Sequence, residues 1–346
     1  MDRIRIFTSF NFAYAPRACI LAQSLKKNEK NIEVIALVVD EVATPEAEQA
    51  HDLLSQHFDK VVLARSIGIP NFRPWVFKHN VVEACTAVKP RYLESLLAQE
   101  SGPVIYMDPD TCCFTPYIQN LLATHPQSIL LTPHQLSPNK SEHSVRDNEL
   151  GSTKYGVFNL GFACVRATDQ GKDYAQWWRR SCEMACYEEV AEGIFTDQKW
   201  CDLVPALFED FAVVRDPGMN VASWNLSRRK IFFNAAGDPV IDGQSLKFFH
   251  FTKVGSVGNA MIARYAGSNV EAFELLRWYS SELKTMGKRF PKVKWAYGFF
   301  EDGSEITNQQ RILYRRRNDL MAEFKNPFSA EEHSYKNWYT ATQSLS

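Results

Sequence analysis

Two aspartates one residue apart, Asp108 and Asp110, follow directly on four apolar residues in the stretch VIYMDPDTCCF, residues 104–114. Carboxylates held this close repel each other unless a cation lies between them. Mg²⁺ and Mn²⁺ take oxygen ligands of this kind and keep positions open for phosphate oxygens. The chemistry expected of such a pair is therefore metal-assisted handling of a phosphate or diphosphate, with the ion neutralising charge that grows on a leaving group. Against this stands a plain alternative: Asp-Pro-Asp is also an ordinary solvated turn, and a D-x-D string is short and frequent. Placement favours the metal, and placement depends on the surrounding elements.

Those elements alternate. Residues 3–10 read as a strand, and residues 17–27 read as a helix opened by Pro16. Residues 32–40 form a nearly continuous apolar run, as expected of a strand buried on both faces. Thr44-Pro45-Glu46 caps a helix reaching about His57, and a short third strand follows at 60–64. A helical pair over about 76–98 is interrupted at Lys89-Pro90. The fourth strand, 103–107, delivers the two aspartates. Alternating strand–helix units predict an α/β fold with a mostly parallel sheet. In such sheets ligands bind beyond the carboxyl ends of the strands, which is where Asp108 and Asp110 stand.

Beyond them the pattern predicts a helix, a strand at 128–133, a long polar loop at 134–154 acting as a mobile lid, and a strand at 157–166. An amphipathic helix follows at 169–185, and another begins at 195–208. Short strand-like pieces come at 211–214, 220–224, 230–233 and 246–251. The tail from about Asn269 reads as helical, with its most basic point at Arg315–Arg317.

The 346 residues stand near the size at which single cores split, so one large or two small domains are expected. With 45% hydrophobic and 23% charged residues the composition is that of a globular chain with ample core. A net charge of −1 gives no bulk attraction to nucleic acid, and none is expected as a partner. The longest clean apolar run, 34–39, is far short of the roughly 20 residues of a membrane span. The first residues run straight into a strand pattern rather than a signal peptide, so a cytosolic location is expected. None of the eight cysteines forms a C-x-x-C pair, which favours reduced core thiols over a zinc cage.

Two families share the acidic pair. Haloacid-dehalogenase-type phosphatases carry D-x-D-x-[TV], the first Asp being the nucleophile. Here Thr111 comes one position early and Cys112 takes its place, although Gly237–Asp242 matches that family's late acidic motif. Residues 235–239 look instead like a hairpin turn. From about Arg5 to Lys253 the chain more closely resembles GT-A glycosyltransferases, in particular the retaining family 8 group and its bacterial relatives. IFTSFNFAYAPRACILAQSL resembles that family's first strand and nucleotide loop, and EACTAVKPRYLESLL the helix before the metal strand. VIYMDPDT resembles its D-x-D motif, and FNLGFACVR its "FN-small-G" strand. TDQKWCDLVP resembles its D-Q element. MNVASWNLS and LKFFHF resemble its N-rich segment and late metal-binding histidine.

The resemblance implies a GT-A-type fold over residues 1–255, with a nucleotide half to about 115, and a helical C-terminal extension over 256–346. It implies a metal-dependent transferase that moves a sugar from a nucleotide-sugar donor, a UDP-sugar, to the hydroxyl of a saccharide, lipid-linked or other acceptor, with retained configuration. By analogy the setting is bacterial surface-polysaccharide synthesis. Asp108, Asp110 and His250 would hold Mn²⁺ or Mg²⁺. By strand alternation His250 faces away from Phe249 and Phe251, so it can reach a cleft. Asp108 and Asp110 would also contact the donor's ribose and diphosphate. Thr8, Ser9 and Asn11 would bind the nucleotide, with Tyr14 stacked on the base. Lys89 would approach the donor sugar or its phosphates, and Asn159 would bond the sugar. Asp197 and Gln198 would sit near the reacting carbon, where a carboxylate or amide oxygen stabilises an oxocarbenium-like state. Helix capping is the plain alternative for Asp197.

The pattern has departures. The family's Lys-Pro-Trp after the histidine is missing, which leaves Lys253 as the candidate diphosphate contact, and Leu160 replaces a small residue in a way expected to narrow the sugar pocket. The aromatics of the tail and Arg315–Arg317 are candidates for acceptor binding or peripheral contact with an anionic membrane. A protein that binds nucleotide sugars without catalysis is the second functional class.

Overall fold

The computed structural model describes residues 3–99 and 102–343. Its strands are β1 (Ile4–Phe10), β2 (Ile32–Val38), β3 (Lys60–Leu63), β4 (Val104–Met107), β5 (Thr111–Cys113), β6 (Ile129–Pro133) and β7 (Phe158–Val165). They continue with β8 (Phe211–Val213), β9 (Val221–Ala222), β10 (Ile231–Phe233), β11 (Pro239–Ile241), β12 (Gln244–Ser245) and β13 (Phe248–His250). Seven form the central sheet, in the order β3-β2-β1-β4-β7-β6-β8. Four of its six pairings are parallel; β7 runs antiparallel to both of its neighbours. The mostly parallel α/β sheet expected from the alternation is therefore present, with one reversed strand. All eight residues of β7 are buried, as a mid-sheet position requires.

The strand order creates the site. From β1 the chain steps to β2 and β3 on one side, then returns to lay β4 on the other side of β1. The carboxyl ends of β1 and β4 thus flank a switch-point crevice. A small second sheet, β5-β13-β9, pairs His250 with Thr111 and so carries the histidine onto the aspartate turn. The third sheet, β10-β11-β12, is a meander whose first turn is 234–238. Asp238 and Asp242 of the phosphatase-like motif lie in it, exposed, and outside the acidic cluster described below.

Local signals hold where side chains can act alone. Thr44 caps the helix Pro45–Ser55 by accepting from the Ala47 amide at 3.2 Å. Pro16 sits in the first turn of the helix Ala15–Asn28. The expected interruption at Lys89-Pro90 is present: one helix ends at Ala87 and the next, Lys89–Gln99, carries Pro90 in its first turn, where a missing N–H costs nothing. Other expectations need correction. The helix expected from residue 195 is a short 3₁₀ turn, Lys199–Leu203, followed by Val204–Leu207. The expected loop 134–154 contains helical turns, Glu142–Ser144 and Leu150–Tyr155, and is anchored. Gln135 donates to the Trp224 carbonyl at 3.0 Å, Ser227 donates to Asn139 at 2.6 Å, and Arg264 pairs with Asp147 at 3.0 Å.

Two cores sandwich the central sheet. One joins the helices Ala15–Asn28 and Val270–Gly287 to β13, where Phe251 stacks on Tyr279 with ring centroids 3.8 Å apart. The other joins the helices Lys89–Gln99 and Asp169–Met184 to aromatics of the C-terminal segment, including Tyr297, Tyr314, Phe328 and Tyr335. Arg311 fastens that segment by donating to the carbonyls of Phe77, His79 and Tyr297 at 3.0, 2.8 and 2.5 Å. Arg315 is buried against Glu83 and Glu189 and lies 3.8 Å over the Tyr187 ring. It is committed to this interior network. Arg316 and Arg317 remain exposed. Among the described residues no helix is long and apolar enough to cross a membrane. The eight cysteines are free, and all but Cys85 are fully buried.

The same segment clamps the end of β2. Trp295 donates to the Val39 carbonyl at 2.9 Å, Tyr297 to Glu41 at 2.6 Å, and the Ala296 amide to Asp40 at 2.8 Å. Burial raises the Asp40 carboxyl from 3.8 to about 6, against the pull of three backbone N–H donors. The fold thus favours its protonated form. That contribution is complete below about pH 4 and is lost as pH rises through about 6. A shift of this size is worth on the order of 3 kcal/mol. Urea unfolding from pH 4 to 7 should show wild type losing about 2–3 kcal/mol more stability than Asp40→Asn.

Candidate active site

The turn 108–110 is held from three sides. The Asp108 amide donates to the Gly161 carbonyl at 3.0 Å, and the Asp108 carbonyl accepts from the Thr111 amide and hydroxyl at 3.1 and 2.7 Å. The Asp110 carbonyl accepts from the Phe251 amide at 2.8 Å. These backbone contacts aim both carboxylates at His250, whose Nε2 lies 3.1 Å from Asp110 Oδ1 and 3.6 Å from Asp108 Oδ2. One ligand atom from each of the three residues lies within 4.8 Å of the others. Asp110 and His250 are buried, while the Asp108 side chain is 25% exposed and opens the cluster on one side. Burial works to raise the Asp110 pKa, but the charge and hydrogen bond of His250 outweigh it and hold the group below the usual carboxylate range. Burial likewise works to lower the His250 pKa, and Asp110 outweighs it, so the imidazole is raised.

Lys89 is the second feature of the centre. Only 3% exposed, its Nζ lies 3.2 Å from Asp108 Oδ1, 3.1 Å from Asp197 Oδ2 and 4.2 Å from the centre of the Tyr106 ring. Burial alone would lower its pKa; the two carboxylates more than offset this and hold it well above the usual lysine value. Asp197 is fully buried, and burial raises its pKa, helped by Asp108 and opposed by Lys89. Its side chain thus turns to Lys89 and does not cap a helix. Tyr106 donates to Asp108 Oδ1 at 2.6 Å, and Ser9 bonds both Tyr106, at 3.2 Å, and the Cys85 carbonyl, at 2.6 Å. Against Asp108, Asp110 and Asp197, Lys89 supplies one positive charge. With neutral His250 an excess of two negative charges remains, and the free donors are two carboxylates and an imidazole. A hard divalent cation fits both the charge and the donor set.

Beside this cluster lies a buried amide network. Asn159 Oδ1 accepts from the Gly161 amide at 3.0 Å and from Asn220 Nδ2 at 2.9 Å, and Asn159 Nδ2 bonds His134 Nε2 at 3.1 Å. Gln198 Oε1 accepts from the Leu160 amide at 3.2 Å, and its Nε2 donates to the Tyr155 carbonyl at 2.9 Å. Asn159 and Gln198 therefore stand side by side, 3.4 Å apart. Leu160 points to the opposite face of β7, into the core with Phe158, and so does not narrow a pocket on this side.

Of the other expected residues, Thr8 and Asn11 are buried at the end of β1 and just beyond it, and the Thr8 hydroxyl has no hydrogen-bond partner. Tyr14 is half-buried. Burial first, then Asp110 and Asp108, raise its phenol, which places it beside the carboxylates. Lys253 is exposed, with φ +49°, just past His250. The structure adds residues the sequence reading passed over. Tyr106, Gly161 and Asn220 touch the cluster directly. Arg17 lies 4.6 Å over the Tyr14 ring and acts electrostatically on Asp110. Asn220 and Gly161 lay inside motifs already singled out, but only the tertiary contacts separate them from their neighbours.

No family model matches the chain. Two uncharacterized Bacillus subtilis (strain 168) proteins are similar to it. YfnF is 28% identical over 176 residues, 49% of this chain and 56% of its own length. YfnD is 26% identical over 174 residues, 49% of this chain and 53% of its own length. The chain thus matches about half the length of these curated relatives. Among solved structures, mouse xyloside xylosyltransferase 1 is 16% identical with a TM-score of 0.43, covering 73% of this chain and 98% of that one. The galactosyltransferase LgtC, solved with donor and acceptor sugar analogs, is 13% identical with a TM-score of 0.46, covering 84% and 97%.

The closest packing in the centre yields a test. A Cβ on Gly161 would stand 2.6 Å from two atoms of the His250 ring and 2.7 Å from Asn159 Oδ1. Gly161→Ala should displace the imidazole. The expected loss is about tenfold or more in Mn²⁺ affinity, read by electron paramagnetic resonance, with about 1–3 kcal/mol of stability read by urea unfolding.

Proposed function

We propose that this protein is a metal-dependent glycosyltransferase of the GT-A type, which moves a sugar from a nucleotide diphosphate donor, a UDP-sugar, to a hydroxyl acceptor with retention of configuration. The observation that carries the reading is the convergence of Asp108, Asp110 and His250 at the switch-point crevice, joined through Lys89 to a fully buried Asp197. It is supported by the ordered motifs along the sequence.

In this reading Asp108, Asp110 and His250 would hold Mn²⁺ or Mg²⁺, which would supply positive charge to offset that of the departing diphosphate. Thr8, Ser9, Asn11 and Tyr14 line the nucleotide side at the end of β1. Arg17, beside Tyr14 and Asp110, and the exposed Lys253 are the cations available to the diphosphate. Asn159 and Gln198, oriented by backbone groups of β7 and its flanks, present fixed amides to the sugar. Asp197 supplies a fixed negative charge near the reacting carbon, where positive charge develops in the transition state. Lys89 opposes the rise that burial imposes on that carboxyl and holds it in place. The substrate is not required to order these groups, because they are already paired with one another.

The test is thermal unfolding with a panel of nucleotide sugars, with and without Mn²⁺. A matching donor at about 100 times its Kd should stabilise the protein by about 2.7 kcal/mol, and only when metal is present. Asp108→Asn should abolish that gain. Slow, Mn²⁺-dependent release of nucleoside diphosphate from the same donor, lost in Asp197→Asn, separates a transferase from a protein that merely binds nucleotide sugars. Stabilisation by no donor, or by a donor without regard to metal, overturns the reading.

A further inference from the structure

His250 reaches the aspartates through Nε2, and its other ring nitrogen has a neighbour of its own: Nδ1 lies 3.3 Å from Asn220 Oδ1. Amide oxygen and nitrogen look alike, so what matters is whether the contacts decide which end of Asn220 faces the ring. They do, starting from a group that has no choice. The Gly161 backbone N–H can only donate, and it donates to Asn159 at 3.0 Å, so that end of Asn159 is oxygen. Asn220 approaches the same oxygen at 2.9 Å, so the approaching end of Asn220 is its NH₂, which also donates to the Thr132 hydroxyl at 2.9 Å. The remaining end of Asn220 is a carbonyl oxygen, which only accepts, and it faces Nδ1. At Nδ1, then, Asn220 pairs only with a protonated nitrogen, while Nε2 faces Asp110 Oδ1 at 3.1 Å, where a proton or a cation bridges the two.

Three further observations show that Asn220 is held for this contact. It is buried, 1% exposed, in a left-handed conformation at φ +48°, which asparagine tolerates better than most residues. Its own carbonyl accepts from Asn225 Nδ2 at 3.0 Å, which closes the turn. The imidazole is confined further by Gly161, where a Cβ would stand 2.6 Å from its Nδ1 and Cε1, and by Trp224, whose ring lies near-perpendicular to it with centroids 5.2 Å apart.

We propose that Asn220 is the positioning residue of the centre: its side-chain oxygen accepts the Nδ1 proton of His250 and so fixes the ring with Nε2 directed at the two aspartates. The inference rests on the metal-dependent reading above. With diamagnetic Mg²⁺ bound, the ¹⁵N–¹H correlations of the His250 ring, assigned by their loss in His250→Gln, should show the ring proton on Nδ1. A proton on Nε2 overturns the proposal. Asn220→Gly suits the left-handed backbone and removes the amide. It should free the ring and lower Mn²⁺ affinity by about 10–100-fold in an electron paramagnetic resonance titration, whereas Asn220→Asp, which keeps an acceptor facing Nδ1, should restore most of that loss. Wild-type affinity in a folded Asn220→Gly also overturns the proposal. If wild type binds no Mn²⁺, the metal-dependent function itself fails; if wild type binds it and Asn220→Gly binds it equally, only the positioning role fails.

Discussion

A lysine ammonium taken out of water has to be held by charges of opposite sign, and in this protein Lys89 is held by two of them. Asp108 comes from the turn after β4 and Asp197 from the segment following the helix Asp169–Met184. The fully buried Asp197 carboxylate is not tolerable without the ammonium, nor the buried ammonium without its carboxylates. The triad therefore stitches the turn after β4 to the segment beyond the helix Asp169–Met184 across the crevice. A single charge contact at the first residue of the helix Lys89–Gln99 thus sets how far apart the two walls of the site stand. It also leaves the aspartate turn with unspent negative charge, so the centre is prepared for a cation before any substrate arrives.

The neighbouring amide network works by a different physics. Asn159, Gln198 and Asn220 carry no charge; Asn159 and Gln198 are oriented directly by backbone N–H and C=O groups that cannot reverse their roles, and Asn220 is oriented through Asn159. Orientation thus passes from β7 through Asn159 and Asn220 to His250. A strand buried on both faces can supply such references, since its own backbone is immobilised by the β4 and β6 ladders. Gly161 belongs to the same logic: the strand needs a residue there, but the imidazole occupies the space of its side chain.

The C-terminal segment is tied to this scaffold by buried polar contacts as well as by aromatic packing. Arg311 and Arg315 satisfy carbonyls and carboxylates of the helical region before Lys89, and Trp295, Ala296 and Tyr297 satisfy the end of β2. Each tie answers a polar group that burial would otherwise leave unpaired. The tail thereby closes the second core and braces the strand ends beside the crevice.

The alternation of strands and helices, the helix opening at Pro16, the Thr44 cap and the placement of Asp108 and Asp110 at a strand end were all legible in the sequence, because each depends on residues close along the chain. The outward face of His250 was legible too, since strand alternation is local. What sequence could not reveal was anything that depends on which strands become neighbours. The reversal of β7, the burial of Lys89 between carboxylates 19 and 108 positions away by residue number, and the commitment of Arg315 to Glu83 and Glu189 follow from packing across the sheet. So does the place of Asn220, which meets His250 only because β9 and β13 pair. Local periodicity specifies which face a side chain takes. Only the tertiary structure decides what stands opposite that face, because long-range contacts are set by the total burial of two cores and not by any one segment.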